Sequence, residues 1–361
     1  METMKLLKSL TELNGIPGQE GEVKKYMEKL GKSYQAEVSY DNIGSVILKK
    51  SGLTDGPKIA IAGHMDEVGF MVSRITKDGF IRFIPLGGWY SQVLLAHEVE
   101  ITTKKGKVLG VIGSKPPHIL SDEDRQKPVS IDSMFIDIGV KNQEEAIELG
   151  VTVGDMITPV TKFTVLGNGN YLMAKAWDNR IGCAVVLEVL NNLQNLKHPN
   201  NYYGIGTVQE EVGCRGAKTT ANMINPDIAI SVDVGIANDI PAGESDKLND
   251  CHGMEMGKGP QILLSDSGLI GHRALREFVI SVAEELKIPY QITFLKRGGT
   301  DAGPMSLAHD GCPAMSLCIP SRYIHSHTSM IHKEDYVNTV KLVTALIERL
   351  DKKTVNAITY N

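Results

Sequence analysis

The sequence predicts an α/β protein: a mixed, largely parallel sheet covered by helices on both faces, with a small β domain inserted into it. Three observations carry this expectation. Strand-like and helix-like segments alternate through the second half of the chain, which is the pattern of a largely parallel sheet packed on both faces. A segment of the same buried type, Lys58-Ile59-Ala60-Ile61-Ala62-Gly63, stands far upstream of that alternation. Between the two lies a stretch of hairpin patterns with one short helical segment, which is the composition of a closed or partly closed β domain.

Element by element, Leu6, Leu7 and Leu10 recur at helical spacing, Asn14-Gly15-Ile16-Pro17-Gly18 stops that helix, and a second begins near Glu20. The buried strand then ends at His64. Gly69 to Gly88 reads as a hairpin about Lys77-Asp78-Gly79, and His97 to Gly113 as another about Lys104-Lys105-Gly106. Strands at Met134 to Ile138 and Asp155 to Val160, with a short helix at Gln143 to Leu149, complete the β-rich block. Beyond Asn168-Gly169-Asn170 the spacing predicts helices over 181–193, 217–223, 274–286 and 336–350, and strands over 202–208, 227–232, 290–294 and 313–319. The domains expected are therefore 1–68 with 166–361, and an insert of 69–165.

Composition narrows the function. The chain has 361 residues, 42% hydrophobic and 22% charged, and a net charge of −5, so it has no field to attract phosphate backbones or anionic lipid. Neither a nucleic-acid nor a membrane partner is expected. Cys183, Cys214, Cys251, Cys312 and Cys318 are odd in number and contain no Cys-x-x-Cys pair, which points to reduced thiols and a cytoplasmic setting. The N-terminus has no apolar run of signal-peptide length, and no apolar stretch long enough to span a membrane occurs.

In open α/β sheets functional residues collect beyond the carboxyl ends of the strands. Here the buried strands run into His64-Met65-Asp66-Glu67, Gln209-Glu210-Glu211, Asp233 and, after a short turn, His325-Ser326-His327. Asp178, in Ala176-Trp177-Asp178-Asn179-Arg180, sits where a loop meets the helix at Ile181. Each alone has an ordinary reading: His64 as a core histidine, Asp233 as a helix cap, Glu210-Glu211 as a solvated pair. Their shared position raises the joint case. Two imidazoles and several carboxylates in one pocket would repel or lose solvation badly without cations, and such N/O donors suit Zn²⁺, Co²⁺ or Mn²⁺. A two-metal site with one bridging carboxylate is the economical inference. His327 would point away from His325 in an extended segment and is left out of the ligand set.

Rival signatures are missing. His97-Glu98-Val99-Glu100-Ile101 lacks the second His of a His-Glu-x-x-His helix. Gly213 to Thr219 has Ala217 where a phosphate loop needs Gly before Lys, and Gly204-Ile205-Gly206 lacks the third Gly of a dinucleotide loop.

Taken together, Gly63-His64-Met65-Asp66-Glu67-Val68-Gly69, Ala176-Trp177-Asp178-Asn179-Arg180, Gln209-Glu210-Glu211-Val212-Gly213, Ser231-Val232-Asp233, Gly298-Gly299-Thr300-Asp301-Ala302-Gly303 and Ser321-Arg322-Tyr323-Ile324-His325-Ser326 resemble the dinuclear metalloaminopeptidases that assemble as tetrahedral particles. Relatives in that family have been called glutamyl aminopeptidase, deblocking aminopeptidase or endoglucanase. The resemblance spans nearly the whole chain. It implies that His64, Asp178 and Asp233 hold one metal, that Asp178, Glu211 and His325 hold the other, that Glu210 is the general base, and that Asp66 orients a ligand. It also implies a PDZ-like insert that mediates self-assembly, to a dodecamer built through dimers, and two divalent ions per subunit, Zn²⁺ or Co²⁺ before Mn²⁺.

The function expected is release of N-terminal residues from peptides. The alternatives are another two-metal hydrolase, such as a deacylase, carboxypeptidase or glycanase, and a peptide-binding scaffold with a vestigial metal site. Neutral side chains such as Leu are the expected first residue, because an acidic preference needs an unpaired cation, for which Arg297 and Lys258 are the nearest choices and Arg322 reads as a structural ion pair. Phe70, Phe80, Phe83, Trp89 and Tyr90 exceed what a small β core requires, so some are expected to face another subunit.

Overall fold

The computed structural model describes residues 3–52, 55–241 and 254–360, so Cys251 lies outside the described residues. In chain order the strands are β1 (Glu37–Tyr40), β2 (Val46–Ser51), β3 (Lys58–His64), β4 (Gly69–Ile75), β5 (Ile81–Leu86), β6 (Glu98–Thr103), β7 (Gly106–Gly113), β8 (Phe135–Asp137) and β9 (Met156–Pro159). They continue with β10 (Thr164–Leu166), β11 (Tyr171–Ala174), β12 (Asn201–Thr207), β13 (Ile228–Ile236), β14 (Gln261–Leu263), β15 (Gln291–Thr293), β16 (Ala314–Arg322) and β17 (Ser329–His332). They form one large mixed sheet and one closed barrel.

The centre of the large sheet is parallel, in the order β12-β3-β13-β16, and its strands are buried almost throughout. That burial is why they read as continuous apolar runs. Antiparallel strands extend it on both sides, β2 and β1 beyond β12, and β17, β11 and β10 beyond β16. Sequence periodicity missed these outer strands and β14. All but β2 are three or four residues long, and β1 and β10 alternate only weakly between half-buried and exposed, so their strand character comes from pairing with a neighbour; β2, of six residues, carries the buried apolar run Val46-Ile47-Leu48.

The helix Trp177–Asn192 is buried on nearly every side, as a helix wedged into the middle of a molecule must be. It touches the sheet at backbone distance. A Cβ on Gly63 would stand 2.4 Å from the Gly182 carbonyl carbon, and one on Gly182 would stand 2.3 Å from the Val232 carbonyl oxygen, so both positions require glycine. Asn179 ties the helix start to β13 by donating to the Val232 carbonyl (2.8 Å) while accepting from the Gly182 amide (2.9 Å). Arg180, wholly buried, donates to the carbonyls of Leu10 and Leu13 and reaches Glu67 at 3.2 Å; Lys175 joins the same carboxylate at 2.5 Å. Losing one partner of such a buried pair costs about 3–5 kcal/mol, which makes this cluster a firm anchor for the segment between Lys175 and Arg180.

The barrel runs β4-β5-β8-β7-β6-β9 and closes on a core that includes Phe70, Val72, Ile81, Phe83, Val99, Ile101, Ile112, Ile136 and Ile157. Closure removes the edges that an open sheet of this size would expose. Phe70 packs against Phe83 edge to face and stacks on Trp89, and Phe80 packs on Phe135. Of the five aromatics expected in part to face another subunit, Phe70 and Phe83 are thus spent on the barrel core, and Tyr90, 60% exposed, is the one left on the surface.

Candidate active site

The carboxyl ends of the parallel strands open into a cavity of about 960 Å³, whose lining includes His64, Asp178, Glu210, Glu211, Asp233 and His325. Five of them come from four strands of the sheet, Glu210 and Glu211 sharing one, and Asp178 comes from the start of the wedged helix. His64 is the last residue of β3, and Glu210 and Glu211 follow β12 by a turn. Asp233 lies within β13, which continues to Ile236 instead of stopping at Val232, and His325 follows β16. The turns that aim them use left-handed backbone at Ala176 (φ 54°), Gln209 (57°) and His325 (57°). Non-glycine residues in that region cost roughly 1–3 kcal/mol each and concentrate where geometry matters more than stability.

Asp178 occupies the middle. Its Oδ1 is 3.1 Å from His64 Nε2 and its Oδ2 is 3.3 Å from His325 Nε2. On the His64 side, Glu210 Oε2 and Asp233 Oδ1 approach the same nitrogen at 3.8 and 3.9 Å. On the other side, Glu211 Oε2 is 3.5 Å from His325 Nε2. Donor atoms of His64, Glu210 and Asp233, and again of His64, Asp178 and Glu211, lie within 4.8 Å of one another. Glu211 Oε1 is buried with no hydrogen-bond partner among the described residues.

Both imidazoles are oriented from behind. His64 Nδ1 lies 3.0 Å from the Asp66 carbonyl oxygen, and His325 Nδ1 lies 2.8 Å from the Gly88 carbonyl oxygen, so in each ring Nδ1 donates and Nε2 faces the carboxylates. The Gly88 carbonyl was not legible in the sequence. It arrives from the loop after β5, so the inserted barrel takes part in the site. The Asp66 side chain faces His64 as well, its Oδ1 3.5 Å from His64 Nδ1, and its two oxygens also accept the Glu210 and Glu211 amides at 3.1 Å each. Its clamp on that dipeptide is what sets the two glutamates in place.

The electrostatics call for positive charge. Burial, reinforced by neighbouring carboxylates, raises Glu210 and Glu211 each to about 8 and lifts Asp233 well above the ordinary range. Burial lowers the two histidines, but the surrounding carboxylates outweigh it, lifting His325 to about 10 and His64 well above its usual value. Asp178 is also pushed up by burial, yet its hydrogen bonds from His325 and His64 hold it below the carboxylate range. Protons are thus drawn onto the two Nε2 atoms, where cations with imidazole ligands would serve the same need.

Residues expected elsewhere lie elsewhere. The His327 ring stacks on His97, 3.9 Å between centroids, and desolvation lowers it to about 3. Arg322 pairs with Asp239, as a structural ion pair would, while Arg297 is exposed on the cavity lining and Lys258 does not line it. The four described cysteines are free.

Comparison with known proteins bears on this arrangement. Residues 44–342 match the M42 glutamyl aminopeptidase family, and residues 1–27 match a second family described as AMPT. The glutamyl aminopeptidase of Lactococcus lactis subsp. cremoris is 35% identical over 99% of both chains, and the lysyl aminopeptidase of Pyrococcus furiosus 33% identical over 97% of this chain and 98% of that one. Among solved structures, a TET aminopeptidase from the archaeon Thaumarchaeota archaeon SCGC AB-539-E09 superposes with a TM-score of 0.95 at 45% identity, covering 99% of each chain. The TET1 peptidase of Pyrococcus horikoshii, which assembles into a tetrahedron or a large octahedral shell, does so at 0.85 and 32%, covering 97% of this chain and all of that one. With the family matched across most of its length and with relatives of this identity over nearly the whole of it, the chain belongs to the M42 glutamyl aminopeptidase family and is a peptide hydrolase of the aminopeptidase type.

Proposed function

We propose that this protein is a two-metal aminopeptidase in which Asp178 bridges the metals and Glu210 is the general base. The observation that carries the reading is the placement of Asp178, with one carboxylate oxygen toward His64 and the other toward His325. His64, Asp178 and Asp233 would hold one divalent ion, and Asp178, Glu211 and His325 the other. The orphaned Glu211 Oε1 and the N/O donor set fit Zn²⁺, Co²⁺ or Mn²⁺. When bound, such ions supply Lewis-acid polarisation of water and of the scissile carbonyl.

The chain's own residues do the rest. Glu210 accepts a proton from water and passes it to the leaving amine, and a buried carboxylate whose proton affinity burial has raised suits that exchange. Glu211, committed to a ligand position, loses the basicity the task needs. Asp66 keeps the two side by side through their amides. Carboxylate-rich walls favour a substrate's N-terminal ammonium over a C-terminal carboxylate, which supports an aminopeptidase over a carboxypeptidase. Ile236, Ile240, Leu295 and Ile324 supply apolar lining for the first side chain.

The test is a panel of leucyl, glutamyl and lysyl amides, N-blocked peptides and cellulose, each with and without chelator. Cleavage of free-amino substrates only, led by leucyl and abolished by chelator, is expected. A glutamyl kcat/KM more than about tenfold above leucyl, roughly 1.4 kcal/mol of discrimination, would instead assign the first-residue preference to Arg297. Cleavage of blocked peptides or cellulose alone would overturn the aminopeptidase reading.

Self-assembly to a dodecamer through dimers is part of the same proposal. It is supported by the TET1 relative and by Ile84, Tyr90, Leu109 and Val111, apolar side chains exposed on the barrel strands and the loop after β5. Sedimentation at micromolar protein should show a species far heavier than 39.4 kDa, and a monomer alone would contradict it.

A further inference from the structure

We propose that Glu210, Cys214 and Asp301 form a separate site for a thiophilic divalent cation, such as Zn²⁺ or Cd²⁺, and that filling it withdraws Glu210 from the reaction. The inference rests on the reading of Glu210 as general base, and on three independent features of the structure.

The first is the donor set. One ligand atom from each of the three residues lies within 4.8 Å of the other two. The Cys214 thiol, on the residue capping the helix Arg215–Ile224, donates to Glu210 Oε1 at 3.2 Å. The other oxygen of that carboxylate, Oε2, is the one near His64. Glu210 therefore stands between the two groups, with one oxygen for each.

The second is Asp301. It is buried to 1% exposure, its Oδ2 accepts the Thr207 hydroxyl at 2.5 Å, and its Oδ1 has no hydrogen-bond partner among the described residues. A buried carboxylate oxygen left unpaired costs free energy that a nearby cation removes. The Thr207 bond holds Asp301 in place. No residue of the proposed two-metal ligand set engages Asp301 by a hydrogen bond or ion pair among the described residues.

The third is the chemistry and access of the thiol. Cys183, by contrast, donates to the His64 carbonyl at 3.1 Å and Cys312 to the Met305 carbonyl at 3.4 Å, each turned toward backbone. Cys214 lines the same cavity as Glu210, so an ion entering from solvent meets both. On binding, the Cys214 S–H bond breaks, its proton leaves to solvent, and the metal–sulfur bond forms in its place; a thiolate with two carboxylates selects Zn²⁺ or Cd²⁺ over hard cations such as Mg²⁺. Coordination of Glu210 Oε1 there would occupy the carboxylate that must exchange protons, so kcat should fall while KM changes little.

The test adds Cd²⁺, and separately Mg²⁺, to the enzyme loaded with its activating ions, comparing the wild type with Cys214→Ser. Serine keeps a hydroxyl donor toward Glu210 but is a poor soft ligand, and every other cysteine remains. The wild type should develop a thiolate-to-cadmium charge-transfer absorption, bind one Cd²⁺ per subunit more than the variant in equilibrium dialysis, and lose kcat in step. C214S should show no such band at those concentrations and require about tenfold or more Cd²⁺ for the same inhibition. Mg²⁺ should do none of this in either protein. Coincident inhibition curves, or release of the activating ions to the same extent in both, would overturn the site. A thiolate band with undiminished turnover would keep the site and remove Glu210 as the base, so the two readings fail separately.

Discussion

Replacing Asp178 by Asn should empty both cation positions at once. Among the described residues its carboxylate is the one that makes an ion-pair contact with both histidines, at 3.1 Å through Oδ1 and 3.3 Å through Oδ2. An amide of the same shape presents one oxygen and one NH₂ group. Its NH₂ end cannot accept, and it carries no charge to offset either dication. Glu211 and His325 on one side, and His64 and Asp233 on the other, then lack their shared anion, and each half is left with too little negative charge to hold an ion tightly. Losing only an outer partner of a metal ligand typically costs about 10–100-fold in affinity or activity. Losing the shared ligand should exceed that for both ions together, with metal analysis finding neither at normal occupancy. The fold should persist, because Asn179 and Arg180 anchor the segment independently through the Val232, Leu10 and Leu13 carbonyls. Two tightly held ions in Asp178→Asn would disprove the bridging role.

Glu210→Gln should behave in the opposite way. The amide keeps the shape of the side chain, and the ligand positions assigned to His64, Asp178, Glu211, Asp233 and His325 are untouched, so both ions should remain. Turnover should fall by about 10²–10⁴-fold, the usual contribution of general acid–base catalysis, because the amide cannot take the proton from water. KM should change little. The pH profile gives a second readout. A base must be ionised to act, so wild-type kcat should rise with pH through the Glu210 titration. Without cations burial holds that titration at about 8; two nearby dications favour the carboxylate form, so the rise should lie below that value in the loaded enzyme. In Glu210→Gln that acidic limb should vanish. Near-normal turnover in a metal-replete variant, or an unchanged acidic limb, would remove Glu210 from the mechanism.

Why these two residues were legible in advance, and others were not, follows from the kind of signal each leaves. A parallel strand buried on both faces is a short apolar run, and a polar residue at its carboxyl end interrupts that run visibly; His64 after Ile59–Gly63 is the clearest case. Glu210-Glu211 after β12 and His325 after β16 carry the same mark. Asp178 announced itself less directly, by its place at the start of a helix with apolar residues all round. The β-rich insert was readable because its hairpins carry their own turn residues, Lys77-Asp78-Gly79 and Lys104-Lys105-Gly106.

What local pattern determined by itself was thus the α/β class, the presence of a β-rich insert and the types of side chain delivered to one rim; that the insert closes into a barrel was decided by strand pairing. Tertiary structure alone decided how those side chains are held. The Gly88 carbonyl behind His325 comes from 237 positions away and is a backbone group, identical in every residue type, so it leaves no trace in sequence. The same holds for the Asp66 clamp on two backbone amides, for Asn179 on the Val232 carbonyl, and for the unpaired Asp301 oxygen beside Cys214. Periodicity reports which way a side chain faces relative to its own element. It carries no information about which distant backbone group will stand behind it, because that is set by how the elements pack, here by the backbone contact of Gly63 with Gly182 that brings the wedged helix, and Asp178 with it, to the end of the central strand.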